Sequence, residues 1–147
     1  MQMFKEYINE VLNKPYKWKL EFNKKDAVQY TFKIDEDLSY VVDFEYTEFH
    51  LLSKEIGAGW GIVFTSQGKI VSWDLTKTGN EFRVFATIKE IFNDWYKKHP
   101  NETFYFSAKE KSRVRLYTRF SDLIKKIYKR DYKKIENYGE IDFVFKV

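Results

Sequence analysis

Arg113, Arg115 and Arg119 lie close together in the stretch FSAKEKSRVRLYTRF, residues 106–120, and Lys126 follows them. A guanidinium offers a planar fork of N–H donors that matches a carboxylate or a phosphate. The chemistry this points to is capture of an anion: a nucleic-acid backbone, a nucleotide or a phosphate-bearing cofactor. The competing account is a solvated charged side of an amphipathic helix. Arg113 stands near the start of that helix with Lys109 and Lys111, where cations oppose the helix dipole and suit an incoming anion better than they suit the helix. Arg83 opens a second helix, just after Gly79 and Asn80. If the two helices start on one edge of the sheet, Gly79, Asn80, Arg83 and Arg113 form an anion site on unpaired backbone amides. Ion pairs of Arg83 or Arg113 with Glu81 or Glu110 are the alternative.

Tyr117 sits among these arginines. Its phenol can serve as a general acid, or it can pack on the apolar stripe it shares with Leu116 and Phe120. Asp43 and Glu45 share one face of a strand, as a carboxylate pair or as an ordinary wet face. The glycines of IGAGWG, residues 56–61, read as a flexible loop beside the site. Asp74 fits either a base or a turn residue, and His50 and His99 are isolated and carry no assigned role. With no cysteine and two histidines, a transition-metal site has little to draw on, and disulfides and thiol nucleophiles are excluded.

The elements that must position these groups follow from periodicity. The 147 residues suit one domain with a real core, and a fifth of them are aromatic. The net charge of +4 is uneven: residues 109–134 hold eleven Lys or Arg and three acids, so the rest of the chain is net acidic. No apolar run is long enough to cross a membrane, and the N-terminus lacks the apolar core of a signal peptide, so the expected address is the cytoplasm.

MFKEYINEVL has apolar residues at helical spacing and ends at Pro15. YKWKLEF, AVQYTFKI and SYVVDFEYTE alternate apolar and polar residues, which predicts half-buried antiparallel strands. HLLSKEIGAGW reads as a loop, and WGIVFTS and KIVSWDL as a hairpin turning at Gln67-Gly68. The period then lengthens. Thr78 and Glu81 form a capping box for a helix with Val84, Phe85, Ile88, Ile91, Phe92 and Trp95 on one side, closed by His99-Pro100. ETFYFSA predicts a strand, and Ser107 and Glu110 a second capping box for a helix striped with Leu116, Tyr117, Phe120, Leu123, Ile124, Ile127 and Tyr128. Asn137-Tyr138-Gly139 predicts a turn before a closing strand, IDFVFKV. The expected fold is a single α+β domain over residues 1–147: an N-terminal helix, five strands, then α-β-α-β. Its sheet is mixed and mainly antiparallel, with parallel strands at the end.

From Trp60 to Val147 this order, with Gly79 before the first helix and Leu116-Tyr117 in the second, resembles the GNAT N-acetyltransferase superfamily. The resemblance implies an acyl-CoA-dependent N-acyltransferase or a degenerate relative. In it Gly79, Asn80 and Arg83 would touch the pyrophosphate of acetyl-CoA, and Tyr117 would protonate the departing thiolate. The sequence departs from that pattern at Glu81, where a small residue is expected, and at Ser121-Asp122, where Gly-Phe is expected. The chain also looks like small uncharacterised bacteriophage proteins in its Lys, Ile, Phe, Tyr and Asn richness. That likeness implies a non-catalytic protein binding a host protein, a small anion or nucleic acid through Arg113, Arg115, Arg119 and Lys126. No zinc finger, RNP motif or GxxG clamp accompanies the basic stretch.

Overall fold

A computed structural model describes residues 14–47, 58–68, 81–108, 111–137 and 139–147. The N-terminal helix, most of the HLLSKEIGAGW loop, the KIVSWDL strand, Asp74, the Thr78 cap and Glu110 lie outside these residues. The described elements are β1 (Trp18–Asn23), β2 (Ala27–Lys33), β3 (Leu38–Thr47), β4 (Gly59–Gly68), α1 (Glu81–Lys98), β5 (Phe104–Ala108), α2 (Lys111–Tyr128), β6 (Lys133–Asn137) and β7 (Glu140–Phe145). They build one α+β structure on a seven-stranded sheet of order β1-β2-β3-β4-β5-β7-β6. No described helix is long and apolar enough to cross a membrane.

Short polar loops join the first three strands, as the alternating sequence requires. Lys24 N–H bonds the Ala27 carbonyl at 2.8 Å, and Ile34 N–H bonds the Leu38 carbonyl at 2.9 Å. The Asp35 carboxylate accepts from the Asp37 N–H at 2.8 Å, a side chain imitating a backbone turn.

The described residues fall into two compact units. The first draws on residues 14–21, 29–42, 65–68 and 81–100. Here α1 buries Val84, Ile88, Ile91, Phe92 and Trp95. A polar row on the same helix ties it to the strands. Thr87 Oγ1 accepts from Tyr16 N–H at 2.8 Å, Glu90 from Trp18 Nε1–H at 2.8 Å, and Asp94 from the Tyr30 hydroxyl at 2.8 Å. The helix stops at His99, whose N–H bonds the Tyr96 carbonyl at 3.0 Å and whose ring stacks on Trp95.

The second unit draws on residues 22–28, 43–47, 58–64, 101–108, 111–137 and 139–147. Its core is aromatic. Phe104 and Phe106 on β5 pair across the ladder with Phe145 and Phe143 on β7, and α2 lays Tyr117 and Phe120 on Phe106 at 5.6 and 5.5 Å between ring centres. Each such ring pair adds about 0.5–1.5 kcal/mol beyond the area it buries.

Four expectations need correction. The sheet does not end in neighbouring parallel strands: β4 and β5 are parallel, but β5 pairs with β7 antiparallel. The reason is a strand the alternation did not reveal, β6, which takes the edge while β7 turns back between it and β5. That turn uses Gly139 at a φ of 82°, a conformation glycine adopts at no steric cost. Second, β4 runs through Gln67 and Gly68, where a turn was expected. Third, Gly59 and Gly61 belong to β4 and not to a loop. Fourth, Ser107 lies inside β5 and its hydroxyl donates to Asp142 at 2.6 Å, so it is no helix cap.

Helix α2 ends with Lys129 at a φ of 57°, the left-handed position that usually holds glycine or asparagine. A side chain there costs on the order of 1 kcal/mol. Lys129→Gly is therefore expected to raise the unfolding free energy by up to about 1 kcal/mol in a urea titration, with an unchanged m-value. A loss of stability would show that Lys129 makes contacts outweighing its backbone strain.

Candidate functional site

In the second unit, the alternation of strands sorts side chains onto two faces. Trp60, Ile62 and Phe64 on β4, and Phe104, Phe106 and Ala108 on β5, are buried. Gly61 stands opposite Tyr105 in the parallel ladder, so Gly61 and Val63 share the other face with Tyr105 and Ser107. Glu45 and Thr47 show the same two-residue spacing on β3.

A cavity of about 230 Å³ opens among these groups, lined by Glu45, Thr47, Gly61, Val63, Tyr105 and Ser107, together with Ile62, Arg113 and Tyr117. Ile62 belongs to the buried face of β4, whereas Val63 belongs to the opposite one. Residues from both faces of β4 therefore line this one space. The β4–β5 register runs through Trp60–Phe104 and Gly61–Tyr105, and the cavity lies just beyond it.

Two features mark this wall. Gly61 carries no side chain, and a Cβ there would come within 2.9 Å of the Tyr105 hydroxyl oxygen, so the phenol lies across this position. The partner of Ser107 is Asp142, which is 1 % exposed. Its other oxygen, Oδ2, meets no hydrogen-bond donor among the described residues. A buried, half-satisfied carboxylate is costly and marks a polar centre behind the cavity wall.

The positive side comes from α2. Arg113 and Tyr117 are four residues apart and so lie on one helix face. The Tyr117 ring packs on Phe64 and Phe106, and it is 1 % exposed. Its hydroxyl accepts a hydrogen bond from Arg113. Burial pushes the Tyr117 phenol up, and the Arg113 charge and hydrogen bond only partly offset this. Tyr105 is also raised, first by burial and then by the negative charges of Asp142 and Glu45, against a hydrogen bond from Thr47. The two phenols thus sit in opposite fields, one facing a guanidinium and the other facing carboxylates.

The remaining expected site residues fall as follows. Gly79 and Asn80 lie outside the described residues. Arg83, in the first unit, donates from Nε to the Lys14 carbonyl at 3.0 Å and covers the Tyr16 ring at 3.8 Å. Arg115, Arg119 and Lys126 are exposed on α2, whereas Arg113 is half-buried in the cavity wall, so the four do not form one cluster. Part of the basic stretch is structural. Arg130 donates to the Glu102 and Lys146 carbonyls and covers Phe104, and Lys125 pairs with Asp131 at 3.1 Å. Asp122 is committed to the Tyr132 hydroxyl, whose ionisation is pushed up to about 12 by burial and by that carboxylate. The sequence reading assigned no site role to Thr47, Tyr105 or Asp142, took Ser107 for a helix cap and put Gly61 in a loop beside the site. The signal was present as i, i+2 pairs of small or polar residues opposite the apolar face of each strand. Among the described residues no group of three or more His, Cys, Asp or Glu side chains could hold a metal ion.

The raised tyrosines predict alkaline lability. Tyr30, Tyr105 and Tyr117 keep their protons when folded at pH values where the unfolded chain, near pH 10, has lost them. Their contribution is intact below pH 10 and is lost as pH rises, because the folded state binds more protons. Urea titrations across that range should show falling stability, with a shallower fall in Tyr105→Phe and Tyr117→Phe. An equal slope in both variants would mean these phenols ionise normally.

Neither the curated proteins nor the solved structures give a match to this chain. Residues 13–143 match the family of unknown function DUF6934. Because the match covers most of its length, the chain belongs to that family.

Proposed function

We propose that the protein is a GNAT-like acyltransferase, or a relative that retains the binding of an acyl-CoA. The observation that carries this reading is the opening beyond the parallel pair β4–β5, with Tyr117 of the following helix at its wall. The strand order β4-β5-β7-β6, with α1 between β4 and β5 and α2 between β5 and β6, supports the resemblance seen in the sequence. A parted pair of parallel strands exposes backbone amides and carbonyls that an extended ligand arm can engage. The residues fit an acyl thioester in one further respect: the wall offers a protonated phenol beside a cation.

When bound, the acyl-CoA supplies an activated acyl group. The chain's own residues do the rest. Tyr117 holds a proton at its hydroxyl oxygen at neutral pH, as any phenol does. It would give that proton to a leaving thiolate; burial makes the transfer harder, and Arg113 offsets part of this by stabilising the phenolate that remains. Gly79 and Asn80 would offer backbone amides to the pyrophosphate, and Arg83 would add charge near the start of α1. Burial of the Phe64–Phe106–Tyr117 cluster excludes water from one side of the phenol.

The exposed cations Lys111, Arg115, Arg119 and Lys126 on α2 favour a second reading, an electrostatic surface for a nucleic-acid backbone. Affinity for a DNA duplex falling steeply with salt would support it, and salt-independent retention would exclude it.

The first reading predicts micromolar binding of acetyl-CoA by calorimetry. It also predicts that Tyr117→Phe lowers the acyl-transfer rate by about 10²–10⁴ while leaving acetyl-CoA affinity within a few fold. Absence of heat at millimolar acetyl-CoA, or an unchanged rate in the variant, contradicts it.

A further inference from the structure

The cavity is bipolar. Glu45 stands at its rim on β3 and is exposed, and among the described residues no hydrogen bond or ion pair to another charged group engages its carboxylate. Asp142 lies behind the same side through Ser107. Arg113 stands on the α2 side, and its guanidinium has five N–H donors, enough to serve Tyr117 and a ligand together. The same lining holds three further hydroxyls, those of Thr47, Tyr105 and Ser107, with Ile62 and Val63 as the apolar part of the wall. The volume of about 230 Å³ falls below the roughly 300–1,000 Å³ of pockets for drug-sized molecules, so the group held between Glu45 and Arg113 is small.

From this arrangement we infer that the cavity takes a small zwitterion, an amino acid or short amino-carboxylate, with its carboxylate on Arg113 and its ammonium on Glu45. A guanidinium recognises a carboxylate through two parallel hydrogen bonds, which fixes orientation as well as charge. An ammonium needs acceptors. Glu45 supplies a charged one, and the hydroxyls of Thr47 and Ser107 supply neutral ones within the same lining. A ligand carrying only one of the two charges would engage one end of the cavity and leave the other to water, forgoing one of the two ion pairs. The inference rests on the acyl-transfer reading in one respect only, that the amine of this ligand would then be the acceptor.

The test uses the intact chain and defined probes. Glycine, β-alanine and γ-aminobutyrate are titrated separately and followed by two-dimensional NMR of the backbone amides, with n-butylamine and butyrate as single-charge controls. One zwitterion is expected to bind at least about tenfold more tightly than either control, shifting the amides of Thr47, Tyr105 and Ser107. Glu45→Gln should abolish the preference over butyrate, and Arg113→Gln the preference over n-butylamine. Equal binding of the controls, no shift at millimolar probe, or variants that bind as the natural chain does would each overturn the inference. Acetyl-CoA titrated into the same sample separates the two claims. A zwitterion bound by a protein that ignores acetyl-CoA overturns the acyl-transfer reading alone. Acetyl-CoA binding without any zwitterion overturns the present inference alone.

Discussion

Phe106 is the contact on which the second unit is built. Its ring meets Phe64 from β4 at 5.8 Å, Tyr117 and Phe120 from α2 at 5.6 and 5.5 Å, and Phe104 and Phe145 at 6.3 and 6.2 Å. One side chain therefore joins both parallel strands, the helix and β7. Truncating a buried ring of this kind typically costs about 3–5 kcal/mol, a large share of a domain's stability. The geometry matters more than the sum. The cluster sets the rotation of α2 about its axis, and that rotation brings Arg113 and Tyr117 to the cavity while Arg115 and Arg119 face water.

On the other face of β4 and β5 the rules of core formation are relaxed. Gly61 gives up side-chain packing, Asp142 is buried with one oxygen unpartnered, and the first turn of α2 carries Lys111 and Arg113 with no acid to complement its dipole. Each choice is locally unfavourable, and all three occur around one small space. Such local costs gathered in one place are what the proposed ligand site would be expected to carry.

Much of the fold was legible because the chain states its periods clearly. The stripe of α1 from Val84 to Trp95 and that of α2 through Tyr117, Phe120 and Ile124 leave no other face to bury. Where the expectation failed, the signal was ambiguous in kind. β6 reads KKIEN, an edge strand whose charges protect it from further pairing and also disguise it. β4 continues through Gln67-Gly68 because tertiary pairing overrides a local turn preference. The antiparallel fit of β7 between β5 and β6 depends on where a hairpin inserts, which spacing alone does not encode. The candidate site was half legible. Arg113 and Tyr117 announced themselves as a cation out of place and a tyrosine beside it. Glu45 was visible as a strand carboxylate. Thr47, Gly61, Tyr105 and Ser107 acquire meaning only once three strands align, since no sequence window contains residues 45 and 117 together.

The central proposal is that the opening lined by Gly61, Tyr105 and Tyr117, beyond the paired part of β4 and β5, receives a ligand. A crystal structure grown with acetyl-CoA measures this directly. The account predicts electron density for the pantetheine arm bonded to the backbone edges of the two strands, with the thioester sulfur within hydrogen-bonding reach of the Tyr117 hydroxyl. Density for the cofactor elsewhere on the surface, or strands closed together with the Tyr105 ring filling the gap, would contradict it.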